Sequence, residues 1–237
     1  MTTAALFRLI EATWPPARTW RNGAFALRDG EGGGKRVSAA TCEGDWDETG
    51  LSELEAAMAE PLVMVRPGQE QLDRALDARG WQLIDPVVAY AAPVSDLAAK
   101  LPPLSAFAHW PPLQIACSIW AEGGIGPERI RVMQRVELTK CALLARQGDR
   151  PSGAAFVACR KDEAMLHALE VRPDYRRRGT GTALMQAAAN WAGDQGAKRL
   201  FLVVTEGNQA ARALYDRLGM QVVGRYHYRM NPSPKAI

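Results

Sequence analysis

Leu169-Glu-Val-Arg-Pro-Asp-Tyr-Arg-Arg-Arg-Gly-Thr-Gly-Thr182 reads as an apolar strand that enters a basic loop, which passes directly into a helix. Gly179 and Gly181 lack a Cβ, so the backbone bends there and can approach a ligand closely. The amides from about Arg177 to Thr182, those of Arg178 and Thr180 included, point out of the helix start. The first N–H groups of a helix have no partner within it, and its dipole favours an anion. A charge-assisted hydrogen bond is worth roughly 1.5–3 kcal/mol, so a ring of amides can hold a pyrophosphate without a lysine. The spacing is not Gly-x-Gly-x-x-Gly, which excludes the dinucleotide fingerprint. The plainer reading of the same residues is a basic loop capping an ordinary helix.

Working outward, the helix predicted at about 179–192 carries Leu184, Ala188 and Trp191 at i, i+4, i+7, with Met185 and Ala192 beside them. That apolar stripe packs on a sheet and aims the helix start at its edge or at a gap. Val203-Val-Thr-Glu-Gly-Asn-Gln-Ala-Ala-Arg-Ala-Leu-Tyr-Asp-Arg-Leu-Gly-Met220 brings a second element. Asn208 opens a helix and Tyr215 lies two turns along the same face. The plainer readings are an N-cap for Asn208 and a half-buried aromatic for Tyr215.

The whole chain has 237 residues, 47% hydrophobic and 23% charged, an ordinary globular composition that excludes disorder, collagen and coiled coil as its main state. No apolar run approaches the ~20 residues of a membrane span. The N-terminal stretch lacks the order of a signal peptide. Cys42, Cys117, Cys141 and Cys159 are widely spaced and the chain has three histidines. We therefore expect no metal site, and a soluble protein of the reducing cytoplasm. Residues 1–100 carry a net charge of −5 and residues 101–237 a net of +8, so a polyanion belongs on the second part. There is no extended basic face with interleaved aromatics, which argues against nucleic acid.

Proline-rich Ser95–Pro112 marks the boundary. We divide the chain into an N-terminal α/β domain at 1–95, a linker or first-strand region at 96–112, and a second domain at 105–232. The first part is predicted to hold a helix at 3–13, strands at 24–28 and 36–40 joined by a flexible tip at Asp29–Lys35, and a helix at 50–60. A strand at 62–65, a helix at 69–79 closed by Gly80 and strand structure over 81–92 follow. The Asp29–Lys35 turn fails the phosphate-loop spacing, because Asp29 stands where glycine is needed and Arg36 follows the lysine. The second part is predicted to hold helices at 113–121 and 127–136, then strands at 140–146, 153–159 and 164–171. A helix at 179–192, a strand at 200–205, a helix at 208–218 closed by Gly219 and strands over 220–230 complete it. This order gives a mixed α/β sheet. An echo runs at an offset of 139 residues: Leu62–Val65 falls on Phe201–Val204, Asp77 on Asp216, Gly80 on Gly219 and Gln82 on Gln221.

The second part resembles the GNAT superfamily of acyl-CoA-dependent N-acyltransferases. The resemblance rests on Arg176-x-x-Gly179-x-Gly181 and on Asn208 followed by Ala213-Leu214-Tyr215-x-x-Leu218-Gly219-Met220. It is close over about 153–230, agrees in strand order from about 105, and is far weaker over 1–95, which it casts as a degenerate, loop-less copy. It implies a GNAT-like fold and transfer of an acetyl group from acetyl-CoA directly to a small-molecule or peptide amine, with no cysteine nucleophile. The 177–182 amides would hold the CoA pyrophosphate. The backbone of Leu169 and Val171 would pair with the pantetheine arm, and Asn208 would bond to it. Tyr215 would be the general acid for the leaving thiolate.

The base is less defined. Strict alternation over 164–171 places Met165, His167, Leu169 and Val171 on one face and Leu166, Ala168 and Glu170 on the other. Leu166–Val171 resembles the strand of arylalkylamine N-acetyltransferases in which a histidine at the place of His167 relays the proton. Its plainer reading is a core histidine. Glu170 is the second candidate, and water the third; Met165 stands where many members of the superfamily begin this strand with glutamate. Tyr226-His227-Tyr228 reads as an edge strand or as a wall of the amine pocket. The sequence names neither the acceptor, the acyl length nor the oligomeric state. A non-catalytic acyl-CoA sensor is the competing function.

Overall fold

The computed structural model describes residues 2–232. The chain opens with α1 (Thr3–Thr13), started by Thr2, whose side chain accepts from the Ala5 amide; its buried face is Leu6, Phe7, Leu9 and Ile10. Burying side chains of this size contributes roughly 1.5–3 kcal/mol each, which fixes α1 across the middle of the sheet. Next come β1 (Arg18–Asn22), β2 (Phe25–Asp29), the single turn α2 (Lys35–Ser38), β3 (Ala40–Cys42), α3 (Glu48–Ala57), β4 (Leu62–Val65), α4 (Glu70–Ala78) and β5 (Gln82–Pro93). Then follow α5 (Val94–Leu97), β6 (Ala106–His109), α6 (Gln114–Glu122), α7 (Pro127–Arg135), β7 (Thr139–Gln147), β8 (Arg150–Arg160) and β9 (Glu163–Val171). The chain ends through α8 (Thr180–Asp194), β10 (Arg199–Thr205), α9 (Gln209–Arg217) and β11 (Gln221–Met230). No described helix is long and apolar enough to cross a membrane.

One mixed sheet runs in the order β1-β2-β3-β4-β11-β5-β10-β9-β8-β7-β6. The last strand of each half is inserted into the other half. β5 lies between β10 and β11, antiparallel to both. β11 lies between β4 and β5, again antiparallel to both. The parallel pairs β3–β4 and β9–β10 occupy corresponding places on either side. α9 and β11 begin 139 residues after α4 and β5, and Gly80 and Gly219 both close their helices at positive φ, 79° and 77°.

Side chains alternate across the sheet. Val88, Tyr90, Val157 and Leu166 face α8. Ala89, Ala91, Met165 and Phe201 face α1, and Ala154, Phe156 and Ala158 face α6 and α7. α3 and α4 bury Leu51, Leu54, Leu72 and Leu76 over β2–β4.

Three expectations fail. The hairpin is not 24–28 with 36–40: β2 pairs with β1 around Gly23, and residues 35–38 are helical. Asp29–Lys35 is no flexible tip but packs on α7. A Cβ on Gly33 would stand 2.5 Å from Val132 Cγ2, and Arg135 pairs with Glu31 at 2.9 Å. β11 is no edge strand, because it is paired on both sides.

Alternation along β9 also breaks. Ala168 adopts φ +50°, and the β8–β9 register shifts between Ala154 and Phe156. One extra residue reverses the parity beyond it. Leu169 and Val171 therefore pack with Leu166 on the α8 face, while Met165 and His167 lie on the other.

Candidate active site

The bulge at Ala168 opens the sheet. β9 and β10 pair in parallel from Glu163–Arg199 to Leu166–Leu202, and no register pair lies beyond them. β10 continues along β5 to Thr205, so its other edge and that of β9 diverge. A cavity of about 1130 Å³ fills the wedge. Its walls belong to both faces. Leu169, Val171, Val204, Leu214 and Tyr215 come from the α8 face, and Trp14, Ala168, Val203, Tyr226 and Tyr228 from the other. The cavity thus passes through the sheet, not over it.

At the α8 mouth lie Arg176, Arg177, Gly179, Gly181 and Thr182. Arg177 (φ 61°) and Gly179 (φ 87°) are both left-handed, so successive amides turn inward as a nest. The backbone amides of residues 177–182 have no partner in the protein, and Gly179 supplies no side-chain cap. Unpaired amides at the start of a 15-residue helix are the donor set that a pyrophosphate requires. Thr180 is set apart: it is buried and bonded to Gln147 Nε2 at 3.0 Å. Arg178 gives its carbonyl to the same amide and its side chain does not line the cavity.

Arg176 bridges the strand end. Its Nε donates to the Val171 carbonyl at 3.0 Å and its Nη2 to Glu170 Oε1 at 3.2 Å. Glu170 is thereby tied to a guanidinium, and it packs so closely on Gly123 that a Cβ there would lie 2.4 Å from its Cδ.

Asn208 is an N-cap that also lines the cavity. Its Oδ1 caps α9 by accepting from the Ala211 amide at 3.1 Å, leaving the Nδ2 donors free at the cavity wall. Tyr215 is 5% exposed, its ring 5.6 Å from that of Tyr90, and its hydroxyl has no hydrogen-bond partner. Burial and the neighbouring Tyr90 hold the phenol far above its ordinary range, so it stays protonated.

His167 is buried with both ring nitrogens occupied. Thr13 Oγ1 donates to the Leu9 carbonyl at 2.7 Å and so accepts from His167 Nε2 at 2.9 Å. Nδ1 is then the acceptor and faces Arg36 Nη1 at 3.1 Å. Burial, and then the Arg36 charge, pull the imidazole well below its usual range. The only lone pair able to take a proton points at a cation, which opposes the expected base role.

The first half supplies residues that the sequence reading assigns no place in the site: Trp14, Lys35, Arg36 and Asp85 line the far end of the cavity. Their signal is tertiary: Gly33 and Gly34 meet Val132 and Arg129 of α7 across about a hundred positions of sequence, which no local motif reports. Tyr226 and Tyr228 line the same end, while His227 turns away to Asp73 at 2.8 Å. None of the four cysteines lines the cavity; all are free, and burial pushes the Cys159 thiol up to about 11. Among the described residues no group of three or more His, Cys, Asp or Glu is placed to hold a metal.

Residues 115–220 match the model of the acetyltransferase (GNAT) family. The uncharacterized N-acetyltransferase YobR of Bacillus subtilis is 26% identical over 240 residues, covering 94% of this chain and 96% of that protein. The ribosomal protein bS18 alanine N-acetyltransferase of Escherichia coli is 43% identical over 58 residues, 24% of this chain and 39% of that protein. Among solved structures, a GCN5-related N-acetyltransferase from Kribbella flavida superposes with a TM-score of 0.72 at 18% identity, covering 98% of this chain and 96% of the other.

Proposed function

Taking as premise that this chain is a member of the GNAT family of N-acetyltransferases, we propose that it transfers the acetyl group of acetyl-CoA directly to an amine. The observation that carries this is the cavity through the splayed sheet, with the unpaired amides of the 177–182 loop at one mouth and Tyr215 in its wall.

The amides of 177–182 and the adjoining arginines take the pyrophosphate. The free edge of β9 beside Leu169 and Val171, with Asn208 Nδ2 opposite, takes the pantetheine amides. Bound acetyl-CoA supplies an activated thioester carbonyl. The amine nitrogen uses its lone pair to form the C–N bond, the C–S bond breaks, and its electron pair leaves on sulfur. Tyr215 donates its proton to that sulfur and is reprotonated, through water, by the proton the amine gives up. The amine loses one proton on becoming an amide, and a second beforehand if it arrives as ammonium. His167 and Glu170 both face arginines, so we assign proton removal to water in the cavity and give His167 the role of fixing Arg36.

We further infer that residues 1–95 are a degraded copy of the second domain. At the 139-residue offset Leu76 stands for Tyr215 and Gln69 for Asn208. Gln69 stitches its strand ends shut, accepting from the Arg66 amide and donating to the Cys42 carbonyl. Asp47 caps α3 with its own carboxylate, filling the anion site that Gly179 leaves free on α8.

The test is thiol release from acetyl-CoA over a panel of amines, beside calorimetric titration of acetyl-CoA. Amine-dependent release supports the transferase. The absence of a free base favours a sensor as the second reading, which predicts tight binding with no release. No binding would sink both.

A further inference from the structure

The cavity end on the α1 side is basic in a way that the transfer chemistry does not require. Lys35 and Asp85 neutralise each other there at 2.7 Å. Arg36 and Arg129, one from each half of the chain, line the same end without a carboxylate in ion-pair reach. Arg36 has a built setting. One nitrogen donates to His167 Nδ1, its carbon lies 5.9 Å from the Trp14 ring centroid, and its Nε is buried with no acceptor. A cation held by a neutral imidazole and an indole, with one donor unfilled, is left short of an anion. Arg129 reaches the same end from α7. Its guanidinium lies 3.5 Å from where a Cβ on Gly34 would stand, and Gly34 at φ +97° carries none. Planar guanidinium groups pair with oxyanions through parallel N–H donors, a match no ammonium acceptor provides.

We propose that the acceptor is an amine that also carries an oxyanion, a carboxylate or a phosphate, held by Arg36 and Arg129 while the amine faces the thioester. This rests on the acetyltransferase reading and names its substrate class. Polyamines and aminoglycosides, which bring only positive charge to Arg36 and Arg129, are excluded.

The experiment uses the full-length protein and matched acceptors. Amino acids are compared with their amides and decarboxylated amines, and aminoalkyl phosphates with the parent amino alcohols. Each is assayed by thiol release in the wild type and in Arg36→Gln, Arg36→Lys and Arg129→Gln, and acetyl-CoA affinity is measured calorimetrically for every variant. We expect kcat/KM to favour the anionic member of a pair by about 100-fold or more. The preference falls below about 10-fold in Arg36→Gln and Arg129→Gln, mainly through KM, with partial recovery in Arg36→Lys. The carboxylate and phosphate arms decide which oxyanion is read. Equal use of neutral or cationic amines overturns the proposal. So does a preference that both glutamine variants retain, or failure to turn over any anionic amine while acetyl-CoA binds. If acetyl-CoA itself does not bind, the acetyltransferase reading has failed and this one with it. Arg129 is exposed on α7, so its variant remains informative even if Arg36→Gln folds poorly.

Discussion

Arg36 Nη1 and His167 Nδ1 lie 3.1 Å apart although 131 positions separate them in the chain. The contact joins the two halves at the cavity and adds to burial in keeping the imidazole neutral. Unfolded, His167 takes its proton near 6.5; folded, burial and Arg36 hold that value well below. Between the two values the unfolded chain binds more protons. The contribution of a neutral His167 to stability is therefore complete above about pH 6.5 and declines as pH falls, with a limiting slope of ~1.4 kcal/mol per pH unit. Burial also lowers His109, so the comparison must be made against a variant. Urea unfolding from about pH 5 to about pH 8 should show this slope in the wild type in excess of that in His167→Gln. Equal slopes would refute it. The rate profile of the wild type should likewise follow the acceptor amine, with no inflection from His167.

Tyr215→Phe removes a hydroxyl that bonds to nothing in the protein. Its loss should leave stability unchanged within about 1 kcal/mol, since no buried partner is orphaned. If the hydroxyl protonates the leaving sulfur, kcat should fall by roughly 10²–10⁴ while the Kd of acetyl-CoA stays within about three-fold. Single-turnover rates with titration calorimetry check both. A variant that retains kcat would remove Tyr215 from the chemistry.

Much of this site was legible because its signals are local. Gly179, Asn208 and Tyr215 belong to one loop and one helix start, where spacing along the chain is spacing in the molecule. The strand alternation through His167 failed because the bulge at Ala168 is a tertiary event: alanine carries no mark of a left-handed backbone. For Tyr226 and Tyr228 the sequence offers an edge strand or a pocket wall and cannot choose, because the exchange of β5 and β11 depends on contacts between residues some 140 positions apart. Arg36 likewise meets the cavity only through a long-range contact, to His167. Its own neighbourhood, a glycine-rich turn, says only that the chain bends.

If the first half is a degraded copy, its helix start serves the fold alone. Asp47 Oδ1 accepts from the Gly50 amide at 2.8 Å and caps α3. Asp47→Ala should cost about 0.5–2 kcal/mol of stability and change acetyl-CoA affinity less than about two-fold. Thermal unfolding beside acetyl-CoA titration decides the point. A large loss of affinity with little loss of stability would mean that α3 takes part in binding.

Two substitutions of Asn208 separate its helix cap from the contact to acetyl-CoA proposed for it. Its Oδ1 caps α9, while the Nδ2 donors face the cavity. Asn208→Asp keeps an oxygen for the Ala211 amide and adds a negative charge at a helix start, which the dipole favours. Stability should hold within about 0.5 kcal/mol. The donors are gone, however, and a carboxylate now meets whatever carbonyl the asparagine bonded. The KM for acetyl-CoA should rise by about 10-fold or more through that loss and repulsion. Asn208→Ala loses the cap as well, about 1 kcal/mol, with a similar or smaller rise in KM. Were the residue a cap alone, the aspartate variant would bind acetyl-CoA as the wild type does and only the alanine variant would suffer. Equilibrium unfolding and steady-state kinetics on this pair therefore distinguish a structural cap from a contact to the pantetheine arm.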